Sequence, residues 1–288
     1  MYKAVVLDLD GTLLDDKKNI SYSTIEYLIN LNKMGIEIII ASGRDYLSIK
    51  KIFEHYPDFD ITCIALNGGE IIDKQGKVLF RRTIPTQKVL EIISSIKKFD
   101  LIYQIYTNQG ILVNKKKNIE NEMLNFGKLY YDDVIDILNE AKIFFEIIYS
   151  NKILLNDYEI KNRIMNDNLE IFKIALLSYD IILLNKLQKH IENIENISLI
   201  SSHLVNLEIL PNDVDKLNGL KNLMKIFDLK KEEIIAFGDN LNDYQMIKFV
   251  GKGVAMKNAV EKLKNIADTV TESNNNEGVL KELINVFN

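Results

Sequence analysis

The chain has 288 residues, 47% hydrophobic and 27% charged, with 36 basic and 41 acidic side chains and a net charge of −5. That length and composition predict one or two soluble globular domains. The mild acidity argues against a nucleic-acid surface, which needs a basic patch. The short run Lys115-Lys116-Lys117 reads as a solvated turn. One cysteine, Cys63, excludes an intramolecular disulfide and a cysteine-built zinc cluster. No apolar run approaches ~18 residues, so no membrane span is expected. Asp8 and Asp10 interrupt any secretion-signal pattern, and a cytoplasmic monomer or weak homodimer is the expectation.

Ala4 to Leu7 is a short aliphatic run and reads as a buried strand. It runs into Asp8-Leu9-Asp10-Gly11-Thr12. From Ser21 to Met34, Ile25, Leu28, Ile29 and Leu31 fall at helical spacing, with Ser21 or Ser23 as cap and Gly35 as stop. Ile36 to Ala41 is the next buried strand, and this β-α-β order predicts a parallel sheet with right-handed crossovers. Ser42-Gly43-Arg44 ends that strand, where ligands of open α/β sheets gather. A helix over Tyr46 to His55 follows. The strand Ile61 to Leu66 holds Cys63 as a small core residue and ends in Asn67-Gly68-Gly69. A hairpin of Glu70 to Asp73 and Lys77 to Thr83 comes next.

Residues 84–211 read as an inserted α+β module with longer, more exposed strands. The spacing predicts a helix over Thr86 to Phe99 and a hairpin of Leu101 to Thr107 with Ile111 to Val113. Further strands are predicted at Ile143 to Tyr149 and Ile171 to Leu177, and a helix over Tyr179 to Ile194. A second hairpin pairs Ile197 to Ser201 with Leu204 to Leu210. Tyr103, Tyr106, Phe145 and Tyr149 read as strand-face core aromatics, with pocket lining as the alternative. The parallel pattern then returns. Leu217 to Phe227 is predicted helical, and Glu233 to Phe237 is a strand ending in Gly238-Asp239-Asn240-Leu241-Asn242-Asp243. A helix (Tyr244 to Phe249), a strand (Gly253 to Met256), a helix (Ala259 to Ile266), a strand (Asp268 to Val270) and a helix (Gly278 to Val286) complete the pattern. Ser273 to Asn276 reads as a polar loop.

Four pieces carry chemistry. Strand periodicity puts Asp8 and Asp10 on one side of the strand end. Two like charges so close oppose each other's ionisation, which a cation relieves. An oxygen-only site suits Mg²⁺ better than zinc or copper. Thr12 and Ser42 offer hydroxyls to an anion, Lys216 a compact positive charge, and Asp239 and Asp243 two further carboxylates. Each also has an ordinary role: an Asx-turn for Asp8 and Asp10, a helix cap for Ser42, Asp239 and Asp243, surface solvation for Lys216.

Taken in order, Asp8-Leu9-Asp10-Gly11-Thr12, Ser42, Lys216 and Gly238-Asp239 with Asn242-Asp243 resemble the four motifs of the haloacid dehalogenase (HAD) superfamily. The resemblance covers residues 1–83 and 212–288, and implies a Rossmann-like parallel-sheet core. Residues 84–211 stand where the Cof-type branch carries an α+β cap. Ser42-Gly43-Arg44, Asn67-Gly68-Gly69, Gly253 to Ala259 and Thr271 to Gly278 also look similar to that branch. Leu217 departs from it, since the family often has glycine after the motif lysine. The resemblance implies a Mg²⁺-dependent phosphatase of a small phosphorylated metabolite, such as a sugar phosphate, working through an aspartyl-phosphate. Asp8 is then the nucleophile and Asp10 the acid and base. Metal binding falls to Asp8, Asp239 and Asp10 through its backbone carbonyl, with Asp243 and Asn242 supporting the metal or Lys216. Thr12, Ser42 and Lys216 are expected to bind phosphoryl oxygens, and Gly43, Arg44 and Asn67 to lie against the phosphate or leaving group. A phosphosugar mutase is the alternative within enzymes. A non-catalytic phospho-acceptor or metal-binding regulator is the alternative outside them; Asp10, which would speed dephosphorylation, argues against a pure acceptor.

Overall fold

Four aliphatic residues with no solvent exposure, Ala4–Leu7 (β1), lie at the centre of a sheet. The computed structural model describes residues 1–99, 101–114, 152–201 and 205–287. Tyr22–Lys33 (α1) is capped by Ser21, whose side chain accepts from the Thr24 N–H, and buries Ile25, Leu28 and Leu31. Glu37–Ala41 (β2), Tyr46–Ile52 (α2) and Thr62–Ala65 (β3) follow, then the hairpin Glu70–Ile72 (β4) and Val78–Arg81 (β5). The chain folds into two compact units, Met1–Arg81 with Val214–Asn288, and Arg82–Asp213.

In the second unit come Thr86–Ile96 (α3), Ile102–Thr107 (β6), Gly110–Asn114 (β7), Ile153–Leu155 (β8), Asp157–Asn166 (α4), Ile171–Leu177 (β9), Ile181–Ile191 (α5), Ile197–Ile200 (β10) and Asn206–Pro211 (β11). The six strands form one sheet ordered β10-β11-β9-β6-β7-β8, antiparallel except where β7 meets β8. Val89, Ile92 and Ile96 of α3, Ile160 and Ile164 of α4, and Leu184, Leu187 and Ile191 of α5 share one core with Tyr103, Ile105, Ile174 and Leu176 of the sheet. β9 is buried at all seven positions, where exposed strands were expected. Its one charged residue, Lys173, is accommodated by Glu208 of β11 at 2.9 Å and by the Tyr106 ring beneath its ammonium. The unit's two ends are joined by an ion pair, Arg82 Nε donating to Asp213 Oδ1 at 2.9 Å. The strand expected at Ile143 to Tyr149, and the loosely placed Asn114 to Tyr131, lie outside the described residues beyond Asn114.

Returning to the first unit, Lys216–Phe227 (α6), Ile234–Gly238 (β12), Tyr244–Phe249 (α7), Lys252–Ala255 (β13), Glu261–Lys264 (α8), Thr269–Val270 (β14) and Gly278–Phe287 (α9) complete the chain. The eight strands are ordered β14-β13-β12-β1-β2-β3-β4-β5. The six from β14 to β3 are parallel, and β4 and β5 are antiparallel at one edge. Such a sheet is buried on both faces, which is why β1, β2, β3 and β12 are near-continuous aliphatic runs. The chain leaves β1 towards β2 on one side and returns to pair β12 on the other. That reversal between β1 and β12 opens a crevice at the strands' carboxyl ends.

Candidate active site

The strand ends at Leu7, and the backbone turns at once. Leu13 N–H donates to the Asp8 carbonyl at 3.3 Å, and Leu14 N–H to the Leu9 carbonyl at 2.9 Å. Asp10 therefore stands in a turn, beyond the reach of strand alternation, yet close enough that its charge contributes to the Asp8 carboxyl's environment. Gly11 sits at φ +79, and a Cβ there would fall 2.3 Å from Asp239 Oδ2, so only glycine fits. The Gly11 carbonyl accepts from Asn258 Nδ2 at 2.8 Å, and Asn258 Oδ1 accepts from the Asn274 N–H at 3.1 Å. Asn274 in turn donates to the Leu14 carbonyl. The expected polar loop at 273–276 is thus a brace for the turn. The Thr12 hydroxyl is buried with no hydrogen-bond partner among the described residues, a cost that a bound oxyanion would remove.

Lys216 opens α6 and is 1% exposed. The preceding Asp215 caps that helix, accepting from the Asn218 N–H at 2.7 Å. The Lys216 ammonium donates to Asp8 Oδ1 and Asp243 Oδ1, each at 2.6 Å. Burial disfavours its charge, but Asp243 and Asp8 outweigh burial and hold it protonated. Asp243 Oδ2 accepts from the backbone N–H groups of Asp239 and Asn240, at 3.2 and 3.1 Å. Asp8, Asp239 and Asp243 bring carboxylate oxygens within 4.8 Å of one another. Burial, opposed by Lys216, raises the Asp8 carboxyl to about 6. Burial and then the Asp8 charge push Asp239 up to about 8. One lysine thus leaves the group short of positive charge. An all-oxygen donor set in that condition fits a hard divalent cation.

Asp10 is treated differently. Arg44 closes on it as a fork, Nε to Oδ2 and Nη2 to Oδ1, both at 2.7 Å. Lys18 donates to Oδ1 at 2.7 Å. Burial opposes ionisation here too, but Arg44 and Lys18 outweigh it and hold the carboxyl down at about 2. Sequence reading missed Lys18, whose return to Asp10 through a turn leaves no periodic signal. Asn258 lay within a segment noted for its resemblance, without an assigned task.

The remaining residues gather at the ends of β2 and β3. Ser42 is 2% exposed, and its Oγ accepts from the Arg44 N–H at 3.2 Å. Asn67 N–H donates to the Ser42 carbonyl, and Leu66 N–H to the Arg44 carbonyl, each at 2.9 Å. Both Leu66 and Asn67 are left-handed, at φ 52 and 56. Asparagine tolerates this, whereas leucine is strained and is held there by the cross-tie. The Asn67 side chain packs against Gly43, where an added Cβ would stand 3.3 Å from it. Asn242 Nδ2 reaches Asn67 Oδ1 at 3.5 Å. The ends of four adjacent strands, β12, β1, β2 and β3, therefore present carboxylates, hydroxyl, amide and cation together. Such a set can bind an oxyanion beside a divalent cation, with the Asp8 carboxylate among the oxygens that face it.

Among the described residues no helix is long and apolar enough to cross a membrane. Residues 5–283 match the family described as haloacid dehalogenase-like hydrolase. Phosphatase YwpJ of Bacillus subtilis (strain 168) is 30% identical over 281 residues, spanning 96% of this chain and 97% of that protein. The 5-amino-6-(5-phospho-D-ribitylamino)uracil phosphatase YwtE of the same organism is 27% identical over 283 residues, 96% of this chain and 95% of that protein. A solved haloacid dehalogenase-like hydrolase from B. subtilis superimposes with a TM-score of 0.83 at 28% identity, covering 99% of this chain and 100% of the other. With the motif residues converging at one end of a parallel sheet and the match running through both units, the chain is an enzyme of the haloacid dehalogenase-like hydrolase family.

Proposed function

We propose that this enzyme is a Mg²⁺-dependent phosphatase that hydrolyses a small phosphorylated metabolite through an aspartyl-phosphate on Asp8. The observation that carries the reading is the Asp8 carboxylate, 2.6 Å from a buried lysine and grouped with Asp239 and Asp243. Asp8 attacks phosphorus, and Lys216 and the hydroxyls of Thr12 and Ser42 bind the phosphoryl oxygens. The Thr12 hydroxyl, buried and unpaired, gains a partner in that complex. Once Arg44 turns part of its fork away, the Asp10 carboxyl is freed to take up a proton from solvent; it passes that proton to the departing alkoxide and then takes one from the attacking water. Arg44 exchanges part of its fork on Asp10 for a phosphoryl oxygen, and Gly43, Asn67 and Asn242 line that side. Mg²⁺ held by Asp8, Asp239 and the Asp10 carbonyl would neutralise phosphate charge, with Asp243 anchoring Lys216. Residues 84–211 act as the cap that selects the leaving group, and the enzyme works in the cytoplasm.

The test is phosphate release from a panel of phosphorylated metabolites, with Mg²⁺ and then with EDTA. Release that EDTA stops, and that Asp8→Asn abolishes without loss of fold, is the expected result. Near-normal release from Asp8→Asn would rule out Asp8 as the nucleophile. Interconversion of phosphosugar isomers without free phosphate would favour a mutase.

A further inference from the structure

The turn after the nucleophile loop sends a side chain back into it. Lys18 donates to Asp10 Oδ1 at 2.7 Å, while its own side chain stays 58% exposed. The turn is tightly closed: Lys18 N–H donates to the Asp15 carbonyl and Asp15 N–H to the Asn19 carbonyl, both at 2.9 Å. Asn19 N–H donates to Asp15 Oδ1 at 2.7 Å. Lys18 itself stands at φ 64, a left-handed conformation that glycine and asparagine adopt at lower cost than lysine. A strained backbone at a residue whose side chain grips a site carboxylate points to a role for that side chain.

The Asp10 side chain is 42% exposed. Packing therefore leaves its terminal torsion, which is intrinsically broad, to be set by hydrogen-bond donors. Arg44 supplies two of these and Lys18 the third. When the Arg44 fork turns to a phosphoryl oxygen, as the proposed function has it, Lys18 is the cation left on Asp10. We propose that Lys18 is a positioning residue that keeps the Asp10 carboxyl aimed at the leaving-group oxygen while Arg44 engages the phosphoryl group. This inference rests on the acid–base role given to Asp10. A compact ammonium on a flexible stem can follow the carboxyl through that exchange without blocking the approach of substrate.

The experiment measures kcat and KM on two phosphate esters, an alkyl ester with a poor leaving group and a nitrophenyl ester with a good one. Lys18→Met, Lys18→Asn, Lys18→Arg and Asp10→Asn are compared with the parent enzyme, alongside Tm. Expected for Lys18→Met and Lys18→Asn is a roughly 10-fold fall in kcat on the alkyl ester, a part of the ~10²–10⁴ that acid–base catalysis supplies. The nitrophenyl ester changes less than about twofold, and KM stays near the parent value, because only the poor leaving group needs the positioned acid. Lys18→Arg restores most of the loss. The Tm of Lys18→Asn does not fall, since asparagine suits the backbone there. Unchanged kcat on the alkyl ester, equal slowing of both esters, or activity that falls only in step with Tm overturns the inference. If Asp10→Asn discriminates between the esters and the Lys18 variants do not, only the role of Lys18 fails. If Asp10→Asn slows both equally, the acid role of Asp10 fails and takes this inference with it.

Discussion

At the scale of single residues, the site depends on backbone positions that admit one side chain or none. Gly11 is the sharpest case. Alanine at φ +79 costs ~1–2 kcal/mol in backbone strain alone, and its Cβ would strike Asp239 Oδ2. Gly11→Ala is expected to lower metal affinity and kcat together, with a modest fall in Tm, as read by calorimetric Mg²⁺ titration and turnover. Unaltered Mg²⁺ binding would show that the turn relaxes. Cys63, in contrast, is inert by construction: burial pushes its thiol up to about 12. What the sequence made visible at this scale were Asp8 and Asp10, a close acidic pair at a strand end, and, through the resemblance to the family's ordered motifs, Lys216, Asp239 and Asp243. Lys18 drew no notice and Asn274 was placed in a polar loop without a task, for a physical reason. Their bonds to Asp10 and to the Leu14 carbonyl cross turns and distant segments, and nothing local records such a return.

At the scale of elements, α6 is the one that sets a reactive group. Its first residue is Lys216, and its cap is Asp215. Removing the cap with Asp215→Ala is expected to cost ~1 kcal/mol. Because the frayed turn is the one that holds Lys216, kcat falls by more than the loss of stability accounts for. Denaturant unfolding and turnover on the same preparation check this. If kcat is preserved while stability drops, the cap serves the fold alone. Aliphatic runs bounded by turn residues, such as Ala4–Leu7 and Ile171–Leu177, were legible to the residue because hydrophobic period and length agree. The helix Asp157–Asn166 was missed. Only Ile160 and Ile164 of its residues are buried, too thin a stripe to register. Its signal was the capping box, Asn156 accepting from the Glu159 N–H while Glu159 bonds back to the Asn156 N–H.

At the scale of the whole molecule, the charge at the site is coupled to pH. Asp239 has an ordinary value of 3.8 and is pushed up to about 8. Between those values the folded state binds more protons than the unfolded one, so metal-free stability falls as pH rises through that window. A divalent cation needs the deprotonated carboxyl. Mg²⁺ is therefore expected to raise Tm most near the upper end of the window and little near pH 4. A Tm gain from Mg²⁺ that is flat across the window would mean the cation binds elsewhere. The same sheet that concentrates this charge is built from the two ends of the chain, with β12 beside β1. The intervening unit begins and ends at Arg82 and Asp213, whose side chains meet. The eight-stranded sheet is thus complete without the residues of the insert. A chain in which 82–213 is exchanged for a few glycines and serines should still assemble all eight strands, as amide exchange would reveal. If the insert chooses the leaving group as proposed, selectivity can drift, be transplanted or be discarded over evolutionary time while the reacting groups stay in register, like a handle changed on an unaltered blade.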